Sequence, residues 1–267
     1  MGYIQEDGGQ LAGWIRKEVE ITDPIQRGSS KKAVRRVQEW LNLHDYRIVI
    51  DGVFGAVSKA KVAQFQKNHN LQATGIVDKK TYDLLVSPLR SVLTPIDTNH
   101  TTTFSGLTLA YAEAHLAQHP QEVGGQNKGP WVRLYMKGYE GTEYPWCAGF
   151  VTFVMKQAAE TLKMSMQIQG SFSCDLLATQ AKESGIFVSG SRIKNGDVDV
   201  SDMDGAHLFL VRRTSTDWTH TGFVTHFEED LFDTIEGNTN DDGNREGYEV
   251  CARSRGYSRN DFILLGN

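Results

Sequence analysis

The sequence predicts an α+β protein in which a small helical part precedes a larger part that combines helices with antiparallel strands. Three observations predict this class. Apolar residues recur at helical spacing in short stretches between residues 31 and 85, a longer stripe of that spacing begins at Cys147, and three stretches with strand character lie between residues 207 and 238. At 267 residues the chain is long enough for two domains that each bury a core.

The composition excludes several classes of protein. No apolar run approaches the roughly 20 residues that span a bilayer, so no membrane span is expected. Residues 1–21 lack a basic leader and the apolar core of a secretory signal, so we expect synthesis in the cytoplasm and another route of export. The three cysteines (Cys147, Cys174 and Cys251) are too few for a disulfide framework, and at most one pair bridges. No CxxC pair indicates zinc, and we expect neither a metal nor a cofactor.

Charge is distributed unevenly along the chain. The net charge is -5, but residues 27–90 contain 12 Lys and Arg against 5 Asp and Glu, a charge of +7 that leaves -12 for the remainder. A solvated helical surface explains this pattern. A basic module that binds an anionic polymer, either nucleic acid or cell wall, explains it equally well.

Three short helices are predicted in this basic region. The first runs from Lys31 to Leu41 after Gly-Ser-Ser, which supplies N-cap residues. The second covers the apolar stripe from Val57 to Phe65, after the turn sequence IDGVFG, and the third lies around residues 81–85, after the turn ATGIVD. The second turn and the third helix weakly echo the first turn and the second helix, which indicates a compact unit with a half-repeat.

The stretch from Val34 to Leu85 resembles a peptidoglycan-binding domain of the three-helix type. The motif consists of Gln38 and Leu41, Asp51-Gly52 with Phe54-Gly55, Phe65-Gln66, and Gly75-Ile76-Val77 with Thr81. Ser58 and Asp78 depart from the family's usual threonine and glycine. The resemblance implies a domain over residues 28–90 with peptidoglycan, and not nucleic acid, as its partner.

A linker is predicted between the two parts. Residues 91–105 are rich in Ser and Thr and show little periodicity, which is typical of a linker or of the lead-in to a second domain. We therefore expect the second domain to begin at residue 106.

Cys147 lies at the predicted start of a helix. The apolar stripe that begins there continues to about Met164, and Pro145 supports a helix entry at this point. A thiol at a helix N-terminus feels the positive end of the helix dipole, which favours the reactive thiolate. An inert buried cysteine gives the same periodicity, so the residues alone leave both interpretations open.

A nucleophilic cysteine needs a base, and candidates lie on three predicted strands, His207–Val211, His220–Phe227 and Leu231–Asn238. If residues 228–230 form a three-residue hairpin loop, His220 lies opposite Asn238. Glu236 then lies diagonally from His220 on the same face of the sheet. A two-residue loop would shift the pairing by one and break this alignment. Taken alone, Glu236 and Asn238 fit ordinary turn and strand-end residues better than catalytic ones.

The second half of the chain resembles a CHAP domain, a cysteine, histidine-dependent amidohydrolase/peptidase. The resemblance is carried by EVGGQNKGPWVRLYMKGYEGTEYPWCAGFVTFV, HTGFV and TIEGNTN. It implies a papain-like α+β domain over residues 106–267, in which helices pack on an antiparallel sheet. It further implies that Cys147 is the nucleophile, His220 the general base and acid, Glu236 the group that orients the imidazole, and Asn238 an auxiliary polar group beside it.

Two other histidines are interpreted as non-catalytic. The family commonly has Pro-Gly-Asp before the strand that precedes the catalytic histidine, and this chain has Gly205-Ala206-His207 there. We therefore expect His207 to be structural. His226 shares the face parity of His220 but lies three pairs further along the strand. The backbone N–H of Cys147 is one expected oxyanion donor, and the second donor is left open.

The expected function is hydrolysis of an amide bond in the peptide part of peptidoglycan, as an N-acetylmuramoyl-L-alanine amidase or an endopeptidase. A metal-dependent wall peptidase is the first alternative, against which the lack of an HExxH motif argues. A non-catalytic wall-binding protein or a phage structural protein is the second. The absence of a signal sequence suggests either a phage endolysin that acts with a holin or an injected antibacterial effector with a matching immunity protein.

Overall fold

The computed structural model describes residues 2–6, 9–99, 103–200, 203, 205–240 and 247–266. In those residues the helices are α1 Gly13–Val19, α2 Lys31–Leu43, α3 Ala56–Asn68, α4 Lys79–Leu85, α5 Ser87–Leu93, α6 Phe104–Ala117, α7 Pro130–Tyr135, α8 Cys147–Leu162, α9 Cys174–Glu183 and α10 Gly190–Lys194. The strands are β1 Phe187–Ser189, β2 His207–Thr214, β3 Asp217–Phe227, β4 Leu231–Thr239, β5 Glu249–Gly256 and β6 Asn260–Ile263. The protein combines helices with an antiparallel sheet, which confirms the α+β class.

The three helices predicted in the basic region are α2, α3 and α4, and two buried glutamines hold the turns between them. The side chain of Gln38 accepts a hydrogen bond from the Gly52 backbone N–H at 2.8 Å, and that of Gln66 accepts one from Gly75 at 2.9 Å. Both glycines have positive φ angles, 76° and 69°. A Cβ at either glycine would approach within 2.6 Å of a lysine side chain on a neighbouring helix, so only glycine fits. The same glutamine–glycine hydrogen bond thus occurs in both halves of the half-repeat that the sequence indicates.

The sheet has six strands in the order β1-β6-β2-β3-β4-β5, and every neighbouring pair is antiparallel. The three strands predicted from the sequence are β2, β3 and β4, at the centre of this order. Helix α8 packs across β3 and β4, and α6 packs on α8. This arrangement places the beginning of α8 beside the central strands.

The hairpin between β3 and β4 does not have the predicted three-residue loop. Phe227 pairs with Phe232 and not with Leu231, and the Glu228 backbone N–H donates to the Leu231 carbonyl at 2.9 Å. The loop therefore contains two residues, and the pairing is shifted by one. A bulge in β3 at Thr225 reverses the shift, because Phe223 pairs with Ile235 in the predicted register. The loop prediction was wrong, yet the register beyond the bulge agrees with the predicted one.

The helical part and the sheet part share one hydrophobic core. The rings of Trp40 on α2 and Trp131 on α7 lie 6.1 Å apart. Arg133 on α7 is buried and forms ion pairs with Glu18 at 2.8 Å and with Glu39 at 2.7 Å. Through these contacts α1 and α2 pack on α7, which belongs to the part of the chain that contains the sheet.

The predicted linker over residues 91–105 overlaps two helices. Helix α5 extends to Leu93, the carbonyl of Val92 accepts a hydrogen bond from Gln157 on α8 at 2.7 Å, and α6 begins at Phe104. Residues 100–102 lie outside the described residues. Among the described residues, no helix is both long enough and apolar enough to cross a membrane.

Candidate active site

Cys147 is the first residue of α8, as the sequence predicts. Trp146 is the N-cap residue, but its side chain does not cap the helix, and its indole N–H donates to Glu122 at 2.9 Å. The ring of Trp146 stacks on Tyr135 with centroids 5.4 Å apart. Gly149 lets this first turn approach α7, because a Cβ there would lie 2.9 Å from the Tyr135 carbonyl oxygen. The start of α8 is therefore held in place by buried aromatic packing.

The surroundings of Cys147 favour its thiolate form. A hydrogen bond from the Cys174 thiol lowers the pKa of Cys147, burial raises it, and the hydrogen bond and charge of His220 lower it further. The backbone N–H of Thr221 also lowers this pKa. The net result is a pKa well below the ordinary thiol value, which is the condition for a nucleophilic cysteine near neutral pH.

His220 on β3 lies beside Cys147 and is held by Glu236. Its Nε2 hydrogen-bonds Glu236 Oε2 at 2.9 Å, and its Nδ1 is buried with no other hydrogen-bond partner among the described residues. Nδ1 is thus the ring nitrogen left for the Cys147 thiol. Burial lowers the pKa of His220, but Cys147 and Glu236 raise it more strongly, to about 9. An imidazolium and a thiolate therefore stabilise each other at neutral pH.

Glu236 is fully buried and accepts hydrogen bonds at both oxygens. Besides His220, Arg255 donates from Nε to Oε1 at 2.5 Å and from Nη2 to Oε2 at 2.6 Å. The hydroxyl of Thr234 donates to Oε1 at 2.7 Å. Burial raises the pKa of Glu236, and Arg255 and then His220 lower it to about 2. The carboxylate stays ionised and cannot rotate away from the imidazole without breaking these bonds.

Asn238 lies in the cleft with Cys147 but does not hydrogen-bond His220. The β3–β4 ladder stops at Phe223 and Ile235, so the predicted pair of His220 with Asn238 lies beyond the last paired residues. Asn238 has a left-handed backbone with a φ of 56° and is only 1% exposed. Its Oδ1 is buried without a hydrogen-bond partner among the described residues.

The two other histidines considered from the sequence lie apart from this group. His207 accepts a hydrogen bond from the Leu265 backbone N–H at 3.1 Å, and burial lowers its pKa to about 4. His226 pairs with Asp233 and is exposed, because the bulge at Thr225 turns it to the opposite face from the one predicted. His220, and neither of these two histidines, is the one whose hydrogen bond and charge act on Cys147.

The cleft at Cys147 has a volume of about 260 Å³. Its walls are formed by Pro145, Cys147, Phe172, Ser173, Cys174, Asp175, Arg213, Asp217, Trp218, Thr219 and Asn238. Asp175 Oδ1 accepts a hydrogen bond from the Trp218 backbone N–H at 2.7 Å, which joins α9 to β3. Arg213 pairs with Asp217 at the rim. A larger cavity of about 440 Å³ lies between the N-terminal segment and α2 and is lined by none of the residues around Cys147.

Cys174 and Arg255 also belong to this site, and neither was predicted from the sequence. Cys174 begins α9, and its Ser173 N-cap was a readable signal for a helix start. Its approach to Cys147 is a tertiary contact that no spacing predicts. Arg255 pairs with Phe232 on β4 and reaches Glu236 along the sheet. Among the described residues, no group of three or more His, Cys, Asp and Glu side chains is arranged to hold a metal ion.

Comparison with known proteins identifies one part of the chain. Residues 30–85 match the family of putative peptidoglycan binding domains. The match covers α2, α3 and α4 and supports peptidoglycan as a partner and association with the cell wall. No CHAP match accompanies it. A search of curated proteins and a search of solved structures each found no significant match.

The peptidoglycan-binding domain contributes directly to the core that supports the cleft. Glu39 and Trp40 of α2 contact Arg133 and Trp131 of α7. Tyr135 of the same helix stacks on Trp146, which precedes Cys147. A continuous series of packed side chains thus connects the peptidoglycan-binding domain with the start of α8.

Proposed function

We propose that the protein is a peptidoglycan hydrolase that cleaves an amide bond in the peptide part of the wall by cysteine nucleophilic catalysis. Residues 106–267 would form a papain-like, CHAP-type catalytic unit. The bond belongs either to the N-acetylmuramoyl-L-alanine linkage or to the stem or cross-bridge peptides. The observation that carries the proposal is the contiguous group of Cys147, His220 and Glu236, of which Cys147 lines a cleft, in a chain that contains a peptidoglycan-binding domain.

Each member of the group has a distinct part in the reaction. The Cys147 thiolate attacks the amide carbonyl carbon, and the electron pair of the C=O bond moves to oxygen. As this intermediate collapses, the protonated His220 gives its proton to the departing amine, leaving an acyl-enzyme. His220 then takes a proton from water, which attacks the acyl carbon and releases Cys147. Glu236 keeps the imidazole oriented and stabilises its charged form throughout.

The peptidoglycan-binding domain would hold the cleft close to its substrate on the wall. A bound polymer presents many amide bonds near the enzyme, so the local substrate concentration rises without any additional catalytic contact. The positive charge of residues 27–90 favours association with the anionic wall.

The test compares Cys147→Ala with a matched cysteine variant on purified peptidoglycan. Cys251→Ala is the control, because Cys251 lies half-buried on β5 and outside the cleft wall. Wild type and Cys251→Ala should release soluble muropeptides at similar rates, and Cys147→Ala should release none while still sedimenting with the wall. Mass spectrometry of the products identifies the bond that is cut.

Three outcomes would overturn the proposal. Equal release by wild type and Cys147→Ala would remove Cys147 as the nucleophile. No release by the wild-type protein, together with normal sedimentation, would support a non-catalytic wall-binding protein. Activity that survives in Cys147→Ala but disappears with a chelator would point to the metal-dependent class.

A further inference from the structure

The cleft contains a second thiol beside Cys147. Cys174 lines the same cleft and hydrogen-bonds the sulfur of Cys147. Both cysteines are reduced, and Cys147 and Cys174 are only 5% and 8% exposed. The proposed hydrolysis uses Cys147 alone as the nucleophile, so it assigns Cys174 no chemical step. Two thiols in contact at a cleft can react with each other when an oxidant enters it.

Two anchors hold the start of α9 against α8 and β3. On the side of α8, the Thr152 hydroxyl donates to the Ser171 carbonyl at 2.8 Å and accepts from the Ser171 backbone N–H at 2.9 Å. On the side of β3, Asp175 accepts a hydrogen bond from the Trp218 backbone N–H at 2.7 Å. Cys174 lies in the chain between Ser171 and Asp175. Its place beside the nucleophile is therefore fixed by contacts other than the one between the two thiols.

Both cysteines have room to turn toward each other. Cys147 is the first residue of α8, and Cys174 is the first residue of α9. Inside a helix the preceding turn restricts the χ1 angle of a side chain, but a first residue has no preceding helical turn. A disulfide needs its two sulfurs about 2 Å apart. Rotation about χ1 brings thiols that are already in contact to this distance and leaves both helices folded.

We propose that Cys147 and Cys174 form a peroxide-reactive site that closes as an intramolecular disulfide. The Cys147 thiolate attacks one oxygen of hydrogen peroxide, the O–O bond breaks, and Cys147 becomes a sulfenic acid. The departing hydroxide takes the proton of His220. The Cys174 sulfur then bonds to the Cys147 sulfur, the S–O bond breaks, and the oxygen leaves as water with the proton of Cys174. The two sulfurs lose two electrons, which reduce the peroxide to two molecules of water.

This chemistry depends on the two thiols and not on the proposed function. A sulfenic acid without a neighbouring thiol is oxidised further to a sulfinic acid, which ordinary thiols do not reduce. A disulfide, in contrast, is opened again by thiol exchange with a reductant. Cys174 therefore makes the oxidation of Cys147 reversible. If the proposed function holds, the disulfide stops hydrolysis and its reduction restores hydrolysis.

The experiment treats the full-length protein with an equimolar amount of hydrogen peroxide and digests it without reductant. In the wild type, mass spectrometry should find the Cys147 peptide joined to the Cys174 peptide, two hydrogens lighter than the separate peptides together. Cys174→Ser is the test variant, because its hydroxyl can donate to Cys147 but has no sulfur for the bond. Cys251→Ser is the matched control, because Cys251 lies on β5 and outside the cleft wall.

The variants should differ in how far oxidation can be reversed. Wild type and Cys251→Ser should lose alkylation of Cys147 by iodoacetamide after peroxide and regain it fully with dithiothreitol. Cys174→Ser should instead contain a sulfenic acid that dimedone labels. After excess peroxide and then dithiothreitol, Cys174→Ser should regain roughly tenfold less alkylation than the wild type, each relative to its own untreated sample.

Several results would overturn the inference. They are a wild-type protein in which Cys147 becomes sulfinic with no joined peptide, a Cys147 that peroxide leaves unchanged, a joined peptide that contains Cys251 in place of Cys174, and full recovery in Cys174→Ser. The joined peptide of the wild type tests the inference even where a variant fails to fold. These readouts need no hydrolytic activity. A wild type that forms the disulfide but releases no muropeptides would overturn the proposed function alone.

Discussion

Replacing Glu236 by glutamine should shift the titration of His220 toward lower pH. The substitution keeps an oxygen that accepts from His220 Nε2, so the ring retains its hydrogen bond. It removes the negative charge that faces the imidazolium. It also places an amide N–H₂ group opposite the guanidinium of Arg255, which then has no anionic partner in the pocket.

The size of the shift follows from the buried charges. Burial lowers the pKa of His220, yet Cys147 and Glu236 together raise it from 6.5 to about 9. A rise of that size corresponds to about 3 kcal/mol, because one pKa unit is about 1.4 kcal/mol. An opposite charge in contact contributes about 1–3 units. We expect Glu236→Gln to lower the pKa of His220 by about 1–2 units, and the uncompensated charge of Arg255 acts in the same direction.

The measurement is a pH titration of histidine rings by NMR in protein labelled at imidazole Cε1. His220→Gln identifies the His220 signal, and the other histidines serve as internal references. Asp233→Asn is the matched control, because Asp233 lies on the same strand but bonds Ser254 instead of His220. If the proposed function holds, the alkaline limb of kcat/KM should move down by the same amount, because only the protonated imidazole gives a proton to the leaving amine.

An unchanged His220 titration in Glu236→Gln would refute the assignment of Glu236 as the charge that stabilises the imidazolium. An equal shift of the His220 pKa in Asp233→Asn would mean that the overall negative charge of the sheet, and not the contact with Glu236, causes the effect. A wild-type pKa near 6.5 would mean that Cys147 and Glu236 do not act on His220 as the geometry indicates.

Three other sets of buried groups give predictions of their own. Cys174→Ala removes the hydrogen bond that contributes most to the lowered pKa of Cys147. The pH at which iodoacetamide begins to alkylate Cys147 should therefore rise, and an unchanged pH dependence of alkylation would contradict this. Arg133→Met leaves two buried glutamates without their shared cation and should lower the free energy of unfolding, measured in urea, by about 3–5 kcal/mol; a loss below about 1 kcal/mol would show that the cluster remains hydrated. Burial lowers the pKa of His115 and His207 to about 4, so the stability from their neutral forms is complete above pH 6.5 and is lost as the pH falls toward 4. His207→Gln should flatten this loss in urea titrations between pH 7 and 4, and an unaltered slope would exclude His207 as a source.

Local patterns predicted the elements of the site, because local physics determines them. The stripe that starts at Cys147 gave the beginning of α8, and strand propensity gave the strands that contain His220 and Glu236. These features depend on residues a few positions apart. The sequence therefore placed the thiol at a helix N-terminus and the imidazole on a strand correctly.

The register of the β3–β4 hairpin shows what local patterns miss. Two errors cancelled: the loop has two residues where three were predicted, and the bulge at Thr225 restores the pairing toward Glu236. Nothing in the sequence from Thr225 to Phe227 distinguishes a bulged strand from a regular one. Arg255 was missed for a related reason, because its approach to Glu236 depends on the pairing of β4 with β5.

If the proposed function holds, the contact between the peptidoglycan-binding domain and the rest of the chain limits which bonds of the wall reach Cys147. A flexible tether lets a catalytic unit sample a volume set by the tether's length. Here Trp40 packs on Trp131, and Glu39 pairs with the buried Arg133, so the domain presents the cleft at one distance and orientation from the polymer that it binds. The +7 charge of residues 27–90 attracts an anionic wall, and the -12 charge of the remainder repels it. If the proposed function holds, binding through this domain orients the protein on the wall before a peptide enters the cleft, and position along the polymer, as well as sequence, selects the amide bond presented to Cys147.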